Sequence, residues 1–483
     1  MASEGILLHF TELADLPGAR LLSFNAGGGS PPPGVSSVHI DSRQVREGGL
    51  FVALSGARQD GHSFVEAAFN RGAAAAMVEE AKLADPALGL PEWAEKMGKT
   101  LIAVPHTLRG LQDAARCYLK KFPGLLKIGI TGSSGKTTTK EIAAAIIGAE
   151  KKVIANPGNL NSETGLPLAV FDVRPGHEVG IFEMGMNRVG EIGELARILE
   201  PHIALITNIG SAHIGILGSR GLIAKEKKNI FSRFSGTETA LIPGDDEFKD
   251  FLAEGVKGRV SFYGAASFKE WEGVRDLGLE GSEIRWAGER VRFGLPGKHN
   301  IRDAVAAIAI GREVPVGNAA IRGGLESARP LFGRSEIIRG RVTVIRDCYN
   351  ASPESSAEAL GFCDGLDWEG RKIYVLGAML ELGENSREAH EAVGRALAAS
   401  RADMVFLFGE ETAAAAEVLE RAGGKAYYYA GNMGELAGAL EEYVRPGDLV
   451  LLKGSRGNAL EQLSGVLAGS PEKSPALAGR GIG

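Results

Sequence analysis

The chain has 483 residues, 44% hydrophobic and 24% charged, an ordinary balance for a globular protein and a length suited to about three domains with full cores. Its 67 glycines follow no three-residue period, which excludes collagen, and a formal charge of −6 argues against a general nucleic-acid or anionic-membrane binder, although a local pocket can still hold an anion. Cys117, Cys348 and Cys363 are odd in number and lack C-x-x-C spacing, so neither a disulfide framework nor a structural zinc site is expected.

The N-terminus lacks the basic region of a signal peptide, and no run reaches the apolar length of a membrane span. The expectation is a cytoplasmic protein.

Residues 1–122 read as a first α/β unit. Strands are expected at 38–40, 50–54, 74–78 and 100–104, with helices at 64–72 and 108–122. Two polar clusters, Asp41-Ser-Arg43 and Asp60-Gly-His62, lie at strand ends, where such folds bind ligands but where turn chemistry is also common. Pro31-Pro-Pro33 reads as a stiff surface loop.

Residues 123–324 alternate strand and helix, which argues a parallel sheet with helices on both faces. Strands are expected at 125–130, 153–155, 179–182 and 203–206, and Glu183, Asn208 and His213 follow the last residues of two of them. After Pro243 the alternation changes, and residues 259–263, 282–286 and 289–293 read as a small antiparallel patch. An Ala-rich helix follows from Pro296 to Ile310.

Residues 325–468 read as a second, smaller doubly wound sheet with strands at 342–346, 372–376, 404–408, 426–429 and 449–453. Residues 469–483, rich in Gly, Pro and Ser, are expected to form a flexible tail.

The most informative stretch is Ile128-Gly-Ile-Thr-Gly-Ser-Ser-Gly-Lys-Thr-Thr138. A buried strand, a glycine loop and a helix place backbone N–H groups and a helix N-terminus around a phosphate. Lys136 supplies charge for the outer phosphates, and the Thr137 hydroxyl can hold Mg²⁺. The first glycine of the full G-x-x-x-x-G-K-[ST] signature is missing. Even so, the flanking strand and helix identify a nucleotide triphosphate site.

Such a site needs a hard cation and oxygen ligands, and Glu183 at a neighbouring strand end can offer a carboxylate. His213 reads equally as a second metal ligand or as a capping or core histidine. Lys225-Glu-Lys-Lys228 reads as a solvated helix face. The alternative is a lysine near the metal that reacts with CO₂ to become a carbamate, an oxygen ligand.

These motifs resemble, from end to end, those of the Mur ligases, ATP-dependent amide-forming enzymes of peptidoglycan precursor synthesis. The matching pieces include Asp41-Ser-Arg43, the loop at 131–138, Gly158-Asn-Leu-Asn161, Glu183-Met-Gly185, Ala212-His213, Gly297-Lys-His-Asn300, Asp347-Cys-Tyr-Asn350 and Lys453-Gly-Ser-Arg456. Tyr349-Asn-Ala351 with Pro353 and Glu381-Leu-Gly383 resemble the dipeptide-adding type, and the Asp-Asn-Pro-Arg motif of a diaminopimelate-adding type is absent.

The resemblance implies three domains: a UDP-substrate domain at 1–122, a P-loop ATPase domain at 123–324 and a Rossmann-like domain at 325–468. It implies a monomer that adds D-alanyl-D-alanine to UDP-N-acetylmuramoyl-tripeptide through an acyl phosphate. ATP would lie on Gly132, Ser133, Ser134, Gly135, Lys136, Thr137 and Thr138. Asn300 would meet the adenine, and Arg334 and Asp347 the ribose. Two Mg²⁺ ions would be held by Thr137, Glu183 and His213 with a carbamylated Lys227, Lys225 being the reserve. Lys136, Lys227 and His213 would be the catalytic groups. Ser42, Arg43, Asn159, Asn161, Tyr349 and Asn350 would contact the substrates.

The sequence departs from the family pattern at Ala378, where relatives often have Asp, at Ser352, where Asn is common, and at Gly457. A sibling ligase adding one amino acid, a P-loop kinase or ATPase, and a non-catalytic relative are the competing readings. A kinase gives no reason for the first and third units, and a non-catalytic relative would lack Glu183, His213 or the lysine.

Overall fold

The structure, a computed structural model, describes residues 5–24, 33–56 and 59–468. The expected tail and most of the triproline run lie outside them.

Three large sheets, one per unit, follow one another along the chain, beside two smaller antiparallel ones among the described residues. In the first unit the order is Arg20–Ser23, Thr100–Val104, Ala75–Glu79, Leu50–Val52, Val38–His39, with only the first pairing antiparallel. The central sheet has six parallel strands, in the order Arg259–Tyr263, Thr239–Pro243, Ile203–Ile206, Leu126–Thr131, Val179–Glu183, Val153–Ala155. Leu126–Thr131 lies inside this sheet, so its carboxyl end opens between two neighbours. That is the crevice in which open α/β sheets bind ligands.

The segment Arg259–Tyr263 corrects the sequence reading. It pairs in parallel with Thr239–Pro243 as an edge strand of the central sheet. Its sequence alternation does not specify pairing direction, and burial does not follow it, since Phe262 is exposed and Tyr263 buried. The antiparallel patch is instead Trp271–Asp276, Ser282–Trp286 and Glu289–Phe293.

In the third sheet the order is Glu336–Arg339, Thr343–Asp347, Leu449–Lys453, Lys372–Gly377, Met404–Phe408, Tyr427–Ala430, and only the Glu336–Arg339 edge is antiparallel.

The helix after the glycine loop, Lys136–Gly148, is buried through Ile142, Ala143, Ile146 and Ile147. The helices Lys298–Glu313 and Asn318–Ser327 pack on it, and Leu325 belongs to the same core cluster. Close approach requires Gly324, where a Cβ would lie 2.6 Å from the Ile146 main chain. The first unit shares a continuous core with the central one, since Leu111 and Tyr118 cluster with Leu166, Phe171 and Leu195.

Candidate active site

Two glycines shape the phosphate loop. Gly132 has φ 152° and Gly135 φ 77°, and a Cβ at either would come within 1.8 Å of Thr207 Oγ1 or 2.0 Å of Asp303 Oδ1. Gly135 caps the helix Lys136–Gly148 without a side-chain acceptor, so the first amides of that helix face the loop. Asn208 fixes the loop from the next strand end. Its Oδ1 accepts from Ser134 N at 3.1 Å and its Nδ2 donates to Ser134 Oγ at 2.9 Å. Thr138 is buried behind the loop.

Two lysines converge on one carbonyl. Lys136 Nζ donates to Gly132 O at 3.0 Å and Lys227 Nζ to the same oxygen at 2.9 Å. Lys227 is 1% exposed, and burial, then repulsion from Lys136, holds its ammonium well below the usual lysine range. Lys136 is partly open to solvent, yet desolvation by the surrounding loop lowers it as well. An arrangement of two under-compensated ammonium groups suits an incoming polyanion. Lys225 is exposed on the same helix.

Glu183 is 2% exposed and sits opposite the lysines' loop. Its Oε2 accepts from Thr137 Oγ1 at 2.7 Å and its Oε1 from Asn161 Nδ2 at 2.6 Å. Asn156 anchors its main chain, accepting from Glu183 N at 2.8 Å and donating to Glu183 O at 3.2 Å and Leu160 O at 2.7 Å. The Asn-rich loop therefore aims the carboxylate at the helix start. These hard oxygens suit a cation such as Mg²⁺. Among the described residues no three His, Cys, Asp or Glu side chains converge on one point.

The third unit reaches into this site. Arg334 Nη2 donates to Thr137 Oγ1 at 3.0 Å, and its guanidinium stacks 4.1 Å from the Tyr349 ring centre. His299 Nε2 lies 2.9 Å from Ser335 Oγ across the same seam. Asp347 accepts from Lys453 Nζ at 2.8 Å and from Ser335 N at 3.1 Å. Burial would raise its carboxyl, but Lys453 overrides this and holds it below the usual range. His213 has φ 65°, and its Nδ1 lies 2.9 Å from Glu381 Oε2, an ion-pair distance without hydrogen-bond alignment. The imidazole lowers the Glu381 carboxyl against the effect of burial.

The remaining expected residues are dispersed. Asn300 is buried and donates to Pro296 O at 2.7 Å, so its amide is spent on the start of its own helix. Ser42 is half-buried in a short 3₁₀ turn, and Arg43 is exposed and paired with Asp41 at 2.8 Å. Asn159 and Asn350 are exposed.

The three departures have local explanations. Ser352 is the N-cap of Pro353–Gly365, accepting from Ser355 N. Ala378 is buried, its main chain clasped by Asn458 through bonds of 3.1 and 2.8 Å. A Cβ on Gly457 would meet only the Leu380 side-chain tip, at 2.8 Å.

Sequence reasoning missed two site residues. Asn156 stood in a recognised polar loop without a role. Asp303, one helical turn after Asn300, faces Gly135, and burial pushes its carboxyl up to about 7. Its place in the run from Gly297 was the available signal.

A phosphate loop completed by an arginine from a separate Rossmann-like unit defines a nucleotide-dependent enzyme of several domains. Three family models match in chain order: Mur ligase family, catalytic domain, at residues 34–118; Mur ligase middle domain, at 130–311; and Mur ligase, glutamate ligase domain, at 333–456. The chain belongs to the Mur ligase family.

Within it, the chain is 44% identical to the UDP-N-acetylmuramoyl-tripeptide–D-alanyl-D-alanine ligase of Treponema pallidum, over 96% of this chain and 99% of that one. The Bacillus subtilis ligase of the same name is 34% identical, over 90% and 94%. Among solved structures, MurF from Acinetobacter baumannii superposes with a TM-score of 0.80 at 28% identity, covering 90% of this chain and 94% of that one. MurF ligase from Thermotoga maritima in complex with ADP gives 0.74 at 29%, covering 90% and 97%.

Proposed function

We propose that the chain is an ATP-dependent ligase that joins D-alanyl-D-alanine to UDP-N-acetylmuramoyl-tripeptide in peptidoglycan precursor synthesis, releasing ADP and phosphate. One observation carries the substrate assignment: identity of 44% to the Treponema pallidum ligase spans all three units of this chain. The site geometry supports the reaction class. Arg334 and Thr137 meet between two units, so nucleotide binding and closure over a second substrate are linked.

A free carboxylate is a poor electrophile, because the equivalent of hydroxide would have to leave. Attack of the tripeptide's terminal carboxylate on the γ-phosphorus forms an acyl phosphate and breaks the bond to ADP. The dipeptide amine then attacks that carbonyl. The amide forms, the amine loses a proton, and phosphate departs with one oxygen of the original carboxylate.

In this reading the loop amides and Lys136 hold the phosphates, and Arg334 brings a guanidinium to the loop as the third unit docks. Asp347 and the Tyr349 ring keep that edge of the third unit in place, and Asn300 orders the helix start beneath the nucleotide. Ser42 and Arg43 receive the UDP end, and Asn159 and Asn350 border the peptide.

Thr137 Oγ1 and Glu183 Oε2, 2.7 Å apart and both oxygen donors, fit Mg²⁺. Lys227 is held toward its neutral form, the form that adds CO₂, and so fits a carbamate. His213 turns Nδ1 to Glu381, which leaves Nε2 for a second ion. When bound, Mg²⁺ neutralises phosphate charge as two anionic substrates approach each other. The reading also makes the chain a cytoplasmic monomer, with unit boundaries at 122, 324 and 468. No helix among the described residues is long and apolar enough to cross a membrane.

The test is phosphate release from ATP with Mg²⁺, the UDP-muramoyl tripeptide and D-alanyl-D-alanine, then with each omitted. Release that needs both organic substrates, with a pentapeptide product by mass, is expected. Release without the dipeptide would point to an ATPase or kinase. Activity only with a single amino acid and a shorter muramoyl peptide would point to a sibling.

A further inference from the structure

The loop that follows Ile203–Ile206 is held from two sides. On the inner side, Gly210 N donates to Ser133 Oγ of the phosphate loop at 2.8 Å, and Ser133 N donates to Asn208 O at 3.0 Å. On the outer side, Glu354 of the third unit accepts from Ser211 N at 2.9 Å and from Ser211 Oγ at 2.8 Å. Gly210 lies between the two grips. A Cβ there would be 3.3 Å from Ser133 Cβ and 3.5 Å from the Glu354 carboxyl. His213, two residues beyond Ser211, faces Glu381 of the same third unit.

Glu354 stands in the first turn of Pro353–Gly365, behind the Ser352 cap. Negative charge is favoured there, so the helix presents the carboxylate whether or not the third unit is docked. Docking exchanges its hydration for two donors on one residue. Those donors sit on the loop that is hydrogen-bonded to Ser133.

We propose that Glu354 is a positioning residue: it latches the third unit onto Ser211 and thereby sets the 208–213 loop against the phosphate loop when the enzyme closes. The role rests on the ligase reading for its catalytic consequence. The latch itself is a contact between two units and can be tested without turnover.

The experiment uses the full chain with Glu354→Ala, Ser211→Ala and the double variant. The first readout is small-angle scattering with and without ADP and Mg²⁺. Wild type is expected to compact on adding nucleotide, and Glu354→Ala to compact less while binding ADP with affinity changed by less than about threefold, since the loop amides are intact. The second is kcat for phosphate release, expected to fall roughly ten- to hundredfold in Glu354→Ala, the range of a lost charge-assisted pair.

Ser211→Ala keeps its backbone donor and should lose less. The double variant should lie within about twofold of Glu354→Ala, because both changes remove one interaction. A merely structural role would lower the melting temperature of Glu354→Ala equally with and without ADP and Mg²⁺, whereas the latch predicts a larger loss in the nucleotide-bound state. Nucleotide-driven compaction equal to wild type in Glu354→Ala, or a double-variant loss equal to the product of the single losses, would overturn the proposal. Wild type failing to make the dipeptide adduct would count against the ligase reading alone, and the scattering would still decide the latch.

Discussion

Replacing Lys227 by Met is expected to stabilise the ligand-free protein while abolishing its catalysis. Lys227 is 1% exposed, and a methionine of similar length fills the same space without opening a cavity. The carbonyl it serves, Gly132 O, keeps its bond from Lys136 Nζ at 3.0 Å, so no buried acceptor is orphaned. What disappears is one hydrogen bond from the lysine amine to that carbonyl, worth about 0.5–1.5 kcal/mol for the neutral form. What is relieved is the cost of burying this amine beside the Lys136 cation, several kcal/mol in effect whether it is met by desolvating the charge or by giving up the proton. The net expectation is a gain of about 1–3 kcal/mol near neutral pH.

The pH dependence follows from the depressed ammonium. An unfolded lysine titrates near about 10.4, so between the lower folded value and that point the unfolded chain binds the proton more tightly. Wild-type stability therefore rises with pH across that window, and Lys227→Met lacks the rise. Its advantage should therefore shrink as pH rises from neutrality toward the unfolded lysine value of about 10.4. Thermal unfolding in CO₂-free buffer at several pH values reads this as a ranking, because a chain of three units need not unfold in two states. A melting temperature below wild type at neutrality, or a difference that does not shrink with pH, would refute the energetic argument. Ligase activity should fall at least about a hundredfold, and full activity would remove Lys227 from the machinery.

Asn156→Ala leaves Glu183 N buried without its partner and takes a donor from the half-buried Leu160 O, and should cost about 1–3 kcal/mol in chemical denaturation and weaken ATP binding; a cost under about 0.5 kcal/mol would contradict the anchoring role. Asp303→Asn should separate from wild type with pH. The folded Asp303 carboxyl sits at about 7 against about 3.9 unfolded, so its stabilising contribution is complete below the unfolded value and is lost as pH rises through the folded one. The variant's melting temperature should therefore gain on wild type between acid and mildly alkaline pH, and parallel curves would contradict this. Ser352→Ala should cost about 1 kcal/mol through the lost N-cap, with an unchanged melting curve as the contrary result.

The phosphate loop was legible because its chemistry is local: an apolar strand, two forced glycines, Lys136 and Thr137 stand within a dozen residues. Glu183 was legible from its strand end. What the sequence left open depends on distant pairing. Arg334 meets Thr137 across 197 residues, and Glu354 meets Ser211 across 143. No period or cap marks such contacts.

Edge strands were the weakest part of the fold reading. Arg259–Tyr263 carried the alternation of an antiparallel strand and joined a parallel sheet. Arg20–Ser23 and Glu336–Arg339 went unrecognised, since an antiparallel edge is chosen by its neighbour more than by its own residues. The environment of Lys227 was hidden for a related reason. A Lys-Glu-Lys-Lys run looks like a solvated face until its helix is docked, which buries both Glu226 and Lys227.

The central claim is that ATP activates a carboxylate for attack by an amine. The most direct measurement labels the terminal carboxylate of the UDP-muramoyl tripeptide with heavy oxygen and follows the label through one turnover with D-alanyl-D-alanine. The account predicts released phosphate carrying a single labelled oxygen and an amide product retaining the other. Unlabelled phosphate would mean that water, not the carboxylate, attacks the nucleotide, and would contradict the ligase mechanism.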